Sequence, residues 1–447
     1  MIRGHRNIFK TKSLKSFSVE METTTLENGA RLVVFERPNT PVYANAIFLA
    51  GSRFDPAGKE GIGHFLEHLL VAGTKSFQSK DKLASFAERL GGTIGAYTNV
   101  DTLMLETSVG NPGDLSSVIK ILSEEITNSL FLQKVIDTER GSILQEISDS
   151  KTIANKHVNE ISKENVFQGT VLAHSGLGTE SSVVGITRDD LISHRDQFIF
   201  GNNTAIVVAG GVKAEEITEA FSNNLILPKG EKPKLLEDLP IIRDKTIRIE
   251  NSSIKGDSVY ISFDFRTPGI LNPEVRPLSM LSAILGGGRA SILAKRLRYD
   301  NGFVYFSNAQ QTSYLGAGVF SVRTACANKN LEKVITIIAK EINKIAKNGP
   351  TKEDLQQIKD KTINSALVQM QTSGSWVIRH AYRALIDPSK MWAIDNYFDE
   401  VLKVSVDDIK DCAKKFLTHN NWYLSLYGNT NNINEDKISD LIITTLS

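Results

Sequence analysis

Two histidines and a glutamate lie close together in the sequence HFLEH, residues 64–68. If this segment is helical, the four-residue spacing of His64 and His68 places both imidazoles on one face, about one turn apart. Glu67 lies at the edge of the same face. Two neutral imidazoles directed at one point supply two of the three protein ligands of a catalytic zinc site, and a carboxylate beside them can accept a proton from a water held there. The alternative is a helix with two surface histidines and a solvated glutamate.

A zinc site of this kind needs a third protein ligand. The segment DTERGSILQEI, residues 137–147, contains two candidates, Glu139 and Glu146. They are seven residues apart, about two helical turns, so both project from one helix face. One could bind the metal while the other hydrogen-bonds a ligating histidine. From their spacing alone, two solvated glutamates on an amphipathic helix are the better interpretation.

The stretch GSRFDPAGKEGIGHFLEHLLVAGTKSF, residues 51–77, resembles the pitrilysin-type metallopeptidases. Its H-x-x-E-H order is that of the inverzincin proteases. The branch that it resembles is that of mitochondrial processing peptidase and its bacterial relatives. In this family the third ligand lies in a segment of the form E-R-x-x-I-L-x-E, and here ERGSILQE spans residues 139–146.

The resemblance assigns a role to each of these side chains. It implies one Zn²⁺ per chain, held by His64, His68 and Glu146. Glu139 is then the carboxylate that supports a ligating histidine, and Glu67 is the catalytic base.

The stretch LGGTIGAYTNVD, residues 90–101, resembles the family motif that forms a strand at the edge of the site. The resemblance implies that a peptide adds as a further strand along Ala96, Tyr97 and Thr98, through backbone hydrogen bonds. The family has an asparagine where this chain has Gly95. We therefore expect one polar contact to the substrate backbone to be missing.

A second substrate contact is implied further along the chain. The stretch LAKRLRYDNGFVYFSNA, residues 293–309, resembles the family segment that supplies an arginine and a tyrosine seven residues apart. Here these residues are Arg298 and Tyr305. The resemblance implies that they reach the substrate or the tetrahedral oxyanion. Without it, a solvated arginine and a packed tyrosine are the ordinary interpretation.

The chain contains an internal repeat. Residues 188–210 align without a gap on residues 406–428, at a constant offset of 218. Each copy predicts a capped helix, an asparagine turn and a short apolar strand. A repeat at about half the chain length indicates two copies of one domain rather than a solenoid.

Hydrophobic periodicity in the first copy predicts both helices and strands. The predicted strands cover residues 29–36, 43–53 and 101–110, and the predicted helices cover residues 62–72, 80–90 and 115–130. Short turns between strands favour an α+β fold, with helices packed on a mostly antiparallel sheet. The resemblance implies that the two domains form a clam-shell chamber.

The domain boundaries follow from composition, because residues 227–240 are rich in proline and charge. We predict a basic tail at 1–19, a zinc-binding peptidase domain at 20–224, a linker at 225–243, and a homologous domain without a metal motif at 244–447.

Composition excludes several classes of protein. The formal net charge of +1 favours neither nucleic-acid binding nor attachment to a charged membrane surface. No run of eighteen apolar residues predicts a membrane span. The two cysteines, Cys326 and Cys412, lack metal-ligand spacing, so a reducing compartment is the simplest interpretation.

The expected function is that of a zinc-dependent endopeptidase that cleaves unfolded peptides or presequences. The metal motif and the Arg/Tyr pair occur in one chain, which favours a homodimer over a heterodimer. The alternative is a structural core subunit, or a peptide-binding partner, of a processing-peptidase-like complex. We expect a bacterial cytoplasmic location; the alternative is the mitochondrial matrix, because residues 1–18 contain five Lys or Arg and no acidic residue.

Overall fold

The computed structural model describes residues 19–234, 239–252, 256–388 and 394–447. The basic segment 1–18 and part of the predicted linker, 235–238, lie outside the described residues. Within the described ranges, no helix combines the length and the apolar character that crossing a membrane requires.

The described residues of the first half form a six-stranded sheet with helices packed on it. The strands are β1 (Glu20–Thr25), β2 (Arg31–Glu36), β3 (Val42–Phe48), β4 (Ile94–Thr98), β5 (Leu103–Val109) and β6 (Thr204–Gly210). The helices are α1 (Ile62–Leu70), α2 (Lys80–Arg89), α3 (Leu115–Thr127), α4 (Gln133–Thr152), α5 (Ala154–Val166), α6 (Glu180–Gly185), α7 (Arg188–Phe198) and α8 (Ala214–Asn224). The spatial order of the strands is β1-β2-β6-β3-β5-β4. All neighbouring pairs are antiparallel except β2 and β6.

The described residues of the second half form a five-stranded sheet. Its strands are β7 (Ile247–Asn251), β8 (Ser258–Thr267), β9 (Val304–Tyr314), β10 (Ala317–Ala327) and β11 (Tyr423–Gly428). Its helices are α9 (Val275–Gly286), α10 (Leu331–Asn348), α11 (Lys352–Gln369), α12 (Ser373–Ile386), α13 (Ile394–Lys403), α14 (Val406–Phe416) and α15 (Glu435–Leu446), with a π-helical segment at Ala294–Tyr299. The spatial order is β7-β11-β8-β10-β9, which matches β2-β6-β3-β5-β4 strand for strand.

The predicted repeat and α+β class are confirmed. Helices α7 and α14 begin and end 218 residues apart. Each begins with the same pair of hydrogen bonds: the hydroxyl of Thr187 or Ser405 accepts from the third helical N–H, and the aspartate at that position accepts from the capping residue's N–H. The six predicted strands and helices of the first half are also present, with ends that differ by a few residues.

The two halves exchange helices, which the sequence did not predict. Helix α5 lies between α4 and α6 in the first half of the sequence, but it packs on β8 and β11 of the second sheet. Helix α12 belongs to the second half but packs on β3 and β6 of the first sheet. The rings of Phe35 and Trp376, one from each half, lie 5.2 Å apart in a single buried cluster. The halves therefore share a core, and each sheet depends on the other half for one of its layers.

This shared core predicts how fragments of the chain behave. A fragment of residues 20–224 lacks α12, so the apolar face around Phe35 is exposed to water, and we expect the fragment to aggregate or to melt without cooperativity. Co-expression with residues 244–447 should restore a soluble complex, measured by co-purification and by circular dichroism on heating. A matched control is the full chain cut at a protease site inserted at 231–234, whose two fragments should stay together. A cooperative transition in the isolated fragment, like that of the full chain, would contradict the shared core.

Candidate metal centre

Helix α1 carries the HFLEH segment, and its first turn is fixed by two glycines and an aspartate. Gly61 has a φ of 92°, and a Cβ atom there would lie 2.5 Å from the carbonyl oxygen of Leu177. The backbone N–H groups of Gly61 and Gly63 donate to the carboxylate of Asp55 at 2.7 and 3.1 Å. The Asp55 carboxylate thus supplies a partner for N–H groups that a helix leaves unpaired at its start. Burial raises the pKa of Asp55 to about 7, although these two hydrogen bonds oppose the rise.

Packing sets the rotation of α1 about its axis. Phe65, Leu66 and Leu69 are fully buried in the core of the first sheet. Their burial directs His64 and His68 towards the side where α4 lies, because residues three and four apart share a helix face. The predicted common face of the two histidines is therefore present.

The two imidazoles converge on one point. The Nε2 atoms of His64 and His68 are 3.3 Å apart. Nitrogen ligands about 2.0–2.1 Å from a tetrahedral zinc ion are separated by about 3.3 Å, so this spacing fits the metal. Burial, and secondarily His68, lower the pKa of His64 to about 4. The His64 imidazole is therefore neutral at physiological pH, as metal ligation requires.

Helix α4 brings two carboxylates to the imidazoles. The two carboxylate oxygens of Glu146 lie 3.5 Å from Nε2 of His64 and 3.7 Å from Nε2 of His68. Two turns earlier, Glu139 lies 2.7 Å from Nδ1 of His68 and 3.6 Å from Nζ of Lys80. The hydrogen bond with His68 is the main reason that the pKa of Glu139 is lowered. If His68 carries its proton on Nδ1 for Glu139, its Nε2 lone pair faces Glu146 and His64.

Glu67 lies beside the imidazoles of His64 and His68 and is more buried than Glu146. Burial raises its pKa, whereas the polar groups of Thr98 and the charge of His68 oppose the rise. Donor atoms of His64, Glu67 and His68 lie within 4.8 Å of one another, so distance alone allows Glu67 as a third ligand. We favour Glu146 instead, because its two carboxylate oxygens lie 3.5 and 3.7 Å from the two Nε2 atoms. Among the described residues, Glu146 forms ion pairs only with the two imidazoles.

One nitrogen at the centre has no visible partner. Within the described part of the chain, Nδ1 of His64 is buried and makes no hydrogen bond. The two histidines therefore differ: His68 is oriented by Glu139, and His64 is held by packing.

Strand β4 lies next to α1 and forms the outer edge of the first sheet. Ala96, Tyr97 and Thr98 are on this strand, which pairs only with β5 among the described strands. The hydroxyl of Thr98 donates to the carbonyl oxygen of Gly63 on α1 at 3.3 Å. The outer backbone groups of β4 are thus positioned beside Glu67, where an added strand could pair with them.

Arg298 lies in the π-helical segment that precedes β9, and Tyr305 lies on β9 of the second sheet. Tyr305 is 81% exposed on β9, the outer strand of that sheet, and the guanidinium of Arg298 is 5.0 Å from its ring centroid. The guanidinium also lies 5.6 Å from the ring of Tyr299. In the described ranges, no hydrogen bond, ion pair or ring contact joins either side chain to α1 or β4. A single chain therefore brings His64, Glu67, His68, Glu139 and Glu146 together, and these two residues remain apart from them.

Sequence reasoning missed Glu106. This residue is on β5 directly opposite Gly95, and the Tyr97 hydroxyl donates to its carboxylate at 2.9 Å. The available signal was the glycine itself, because a missing side chain on an edge strand leaves room for its cross-strand neighbour.

Two family models match the chain. Residues 32–180 match "Insulinase (Peptidase family M16)", and residues 185–362 match "Peptidase M16 inactive domain". The metal residues lie within the first match, and Arg298 and Tyr305 lie within the second. The second match begins inside the first half of the fold, since α7, β6 and α8 all lie within it.

Relatives of known name extend along most of the chain. The mitochondrial-processing peptidase subunit beta of Lentinula edodes is 25% identical over 97% of this chain and 94% of its own length. A protein of Rickettsia felis named as a zinc protease is 26% identical over 88% of this chain and 94% of its own length. A solved structure of a protease from Helicobacter pylori covers 92% of this chain and 100% of its own, with a TM-score of 0.83 and 17% identity. That last similarity bears on the fold alone.

The geometry predicts how three glutamates affect metal binding. Glu146→Gln should weaken zinc binding most, because the amide loses a charged ligand oxygen. Glu139→Gln should weaken it by about 10–100-fold, since only the orientation of His68 changes. Glu67→Gln should keep the metal. Competition with a chromophoric chelator measures all three, with Glu88→Gln on the exposed side of α2 as control. Loss of zinc in Glu67→Gln with retention in Glu146→Gln would make Glu67 the third ligand.

Proposed function

The chain belongs to the M16 peptidase family, and from this premise we propose that it is a zinc-dependent endopeptidase that cleaves extended, unfolded peptides. The observation that carries the proposal is the 3.3 Å approach of the two Nε2 atoms, with both oxygens of Glu146 beside them. Zinc would be held by His64, His68 and Glu146, one ion per chain. The named zinc protease and processing peptidase relatives support a peptidase.

Zinc, when bound, acidifies water and polarises a peptide carbonyl. Glu67 accepts a proton from the attacking water on a carboxylate oxygen and delivers it to the nitrogen of the leaving amine. Its burial, which raises its pKa, makes the carboxylate a stronger proton acceptor. Glu139 holds the His68 ring in place through Nδ1.

The substrate binds as an additional strand beside β4. The backbone of Ala96, Tyr97 and Thr98 supplies hydrogen-bonding groups that do not depend on the substrate's side chains. Such pairing requires an extended peptide, so a compact folded protein is a poor substrate. The hydrogen bond between Thr98 and Gly63 supports this orientation, because it puts the added strand next to α1, which carries the proton acceptor.

A second copy of the chain completes the site. Tyr305 lies on the outer strand of the second sheet with Arg298 against its ring, and neither contacts α1 or β4 within the described residues. In a homodimer, the edge carrying them would face the metal centre of the partner copy. There they would stabilise the oxyanion, and the two chains would enclose the chamber in which peptides are cut.

The central test is turnover by the zinc-loaded protein on a mixed peptide library, read by mass spectrometry. Glu67→Gln should lower turnover by about 10²–10⁴-fold, because the amide cannot accept a proton. Its zinc content and peptide affinity should stay at wild-type values. Glu88→Gln serves as the control and should cleave normally. If the zinc-loaded wild-type protein cuts no peptide in the library, the proposed activity is wrong.

Mixed dimers test the origin of Arg298. Chains carrying Glu67→Gln and chains carrying Arg298→Ala are each expected to be nearly inactive. If Arg298 acts on the partner's centre, half of the co-expressed dimers contain one complete site, and about a quarter of wild-type activity returns. The control pairs Glu67→Gln with a chain carrying both substitutions and should remain inactive. No recovery in the first mixture would contradict action across the dimer.

A further inference from the structure

The two faces of β4 have different environments. Side chains alternate along a strand, so Ala96 and Thr98 share one face, and Gly95 and Tyr97 share the other. The first face lies against α1, because Thr98 contacts Gly63 and Ala96 packs on the first core. The second face therefore points away from the metal centre. Glu106 lies directly opposite Gly95 in the β4–β5 register, so it shares this second face.

The carboxylate of Glu106 occupies the space that a side chain at position 95 would fill. A Cβ atom built on Gly95 would lie 3.0 Å from Oε1 of Glu106 and 3.1 Å from its Cγ. The Tyr97 hydroxyl donates to the same oxygen at 2.9 Å. This hydrogen bond, reinforced by the negative charge, raises the pKa of Tyr97 and keeps it a donor. The side chain of Glu106 thus lies across Gly95 and extends towards the open edge of the sheet.

Glu106 has no positive partner in the described part of the chain. No Lys, Arg or His nitrogen among those residues forms an ion pair with its carboxylate, and its side chain is half-buried. A partly desolvated carboxylate with a single neutral donor interacts favourably with an added cation.

We propose that Gly95, Glu106 and Tyr97 form a subsite that binds a Lys or Arg side chain of the peptide. This inference rests on the proposed function, since it requires a strand added beside β4. The added strand would lie about 4.8 Å from β4 and about 9.6 Å from β5. Directly paired residues share a face, so the peptide residue opposite Gly95 points to the side of Glu106. Glycine is needed between them, because any side chain there would separate the two charges.

The position of the subsite limits which peptide residue it selects. Gly95 is three residues from Thr98, or about 10 Å along the strand. Thr98 hydrogen-bonds Gly63, the residue before His64, so it lies at the proposed place of bond cleavage. The preference for a basic residue therefore applies about three positions from the cut bond, on one side of it.

Position-scanned peptides test the subsite. A single Lys is placed at each position around the cut bond and compared with Gln at the same position. At one position, the wild-type protein should prefer Lys by roughly five- to twentyfold in kcat/KM, mostly through KM. E106Q should reduce this ratio to near one, and added salt should reduce it in the wild type. The matched control is Glu22→Gln on β1, the opposite edge of the same sheet, which should keep the preference.

A second variant fills the space beside Gly95 and leaves the charge of Glu106 in place. Gly95 does not adopt a positive φ, so G95N fits the backbone and only requires the flexible end of Glu106 to move. We expect it to reduce the Lys preference as well. An unchanged preference in both E106Q and G95N would overturn the subsite.

A binding measurement separates this inference from the proposed activity. Fluorescence anisotropy with labelled Lys and Gln peptides is carried out on Glu67→Gln, with and without E106Q. Preferential binding of the Lys peptide that E106Q removes supports the subsite even if the wild-type protein cleaves nothing. Equal binding of the two peptides, together with normal cleavage by the wild type, would reject the subsite and leave the peptidase intact.

Discussion

Arg53 and Asp101 form an ion pair of 2.6 Å, with side chains only 5% and 4% exposed, where the two halves of the chain meet. Asp101 also accepts hydrogen bonds from the Tyr382 hydroxyl at 2.6 Å and the Leu315 N–H at 3.0 Å, and Arg53 donates to the Leu315 carbonyl at 2.8 Å. Buried charges are costly unless every partner is satisfied, and removing one member of such a pair typically costs about 3–5 kcal/mol. Arg53 precedes α1 and Asp101 follows β4, so this network ties the helix that carries the histidines, and the strand beside it, to the second half. Tyr382 belongs to α12, the helix that covers the first sheet.

The exchange of helices explains why a half without a metal motif is needed at all. The two sheets have the same strand order, yet the H-x-x-E-H segment occurs only on α1. The equivalent helix, α9, carries Leu and Ser in place of such ligands and packs on β9. The second half instead contributes α12, whose Trp376 is buried against Phe35 behind the sheet that holds the centre. A rigid sheet keeps α1 and α4 in register, and that register decides whether Glu146 reaches the imidazoles.

Local periodicity placed the candidate ligands on common helix faces, and the family resemblance assigned their roles, but neither predicted the arrangement around them. The four-residue spacing of His64 and His68 and the seven-residue spacing of Glu139 and Glu146 fix common helix faces, and the structure brings all four together. The packing of α12 on the first sheet could not be predicted in this way. Periodicity shows that α12 has an apolar face but does not specify which sheet that face covers. For the same reason, the position of Glu106 was not predicted, since it depends on the pairing of two strands.

The alternation of side chains along β4 separates two properties that a peptidase must combine. Thr98 hydrogen-bonds the backbone of α1, so a change there alters the helix that carries the proposed proton acceptor. Gly95 and Glu106 lie on the opposite face, so they are separated from the histidines by the sheet itself. Backbone pairing along the strand edge is common to both faces and is indifferent to sequence. Substrate preference can therefore change on one face of the strand while the chemistry on the other face is unaffected.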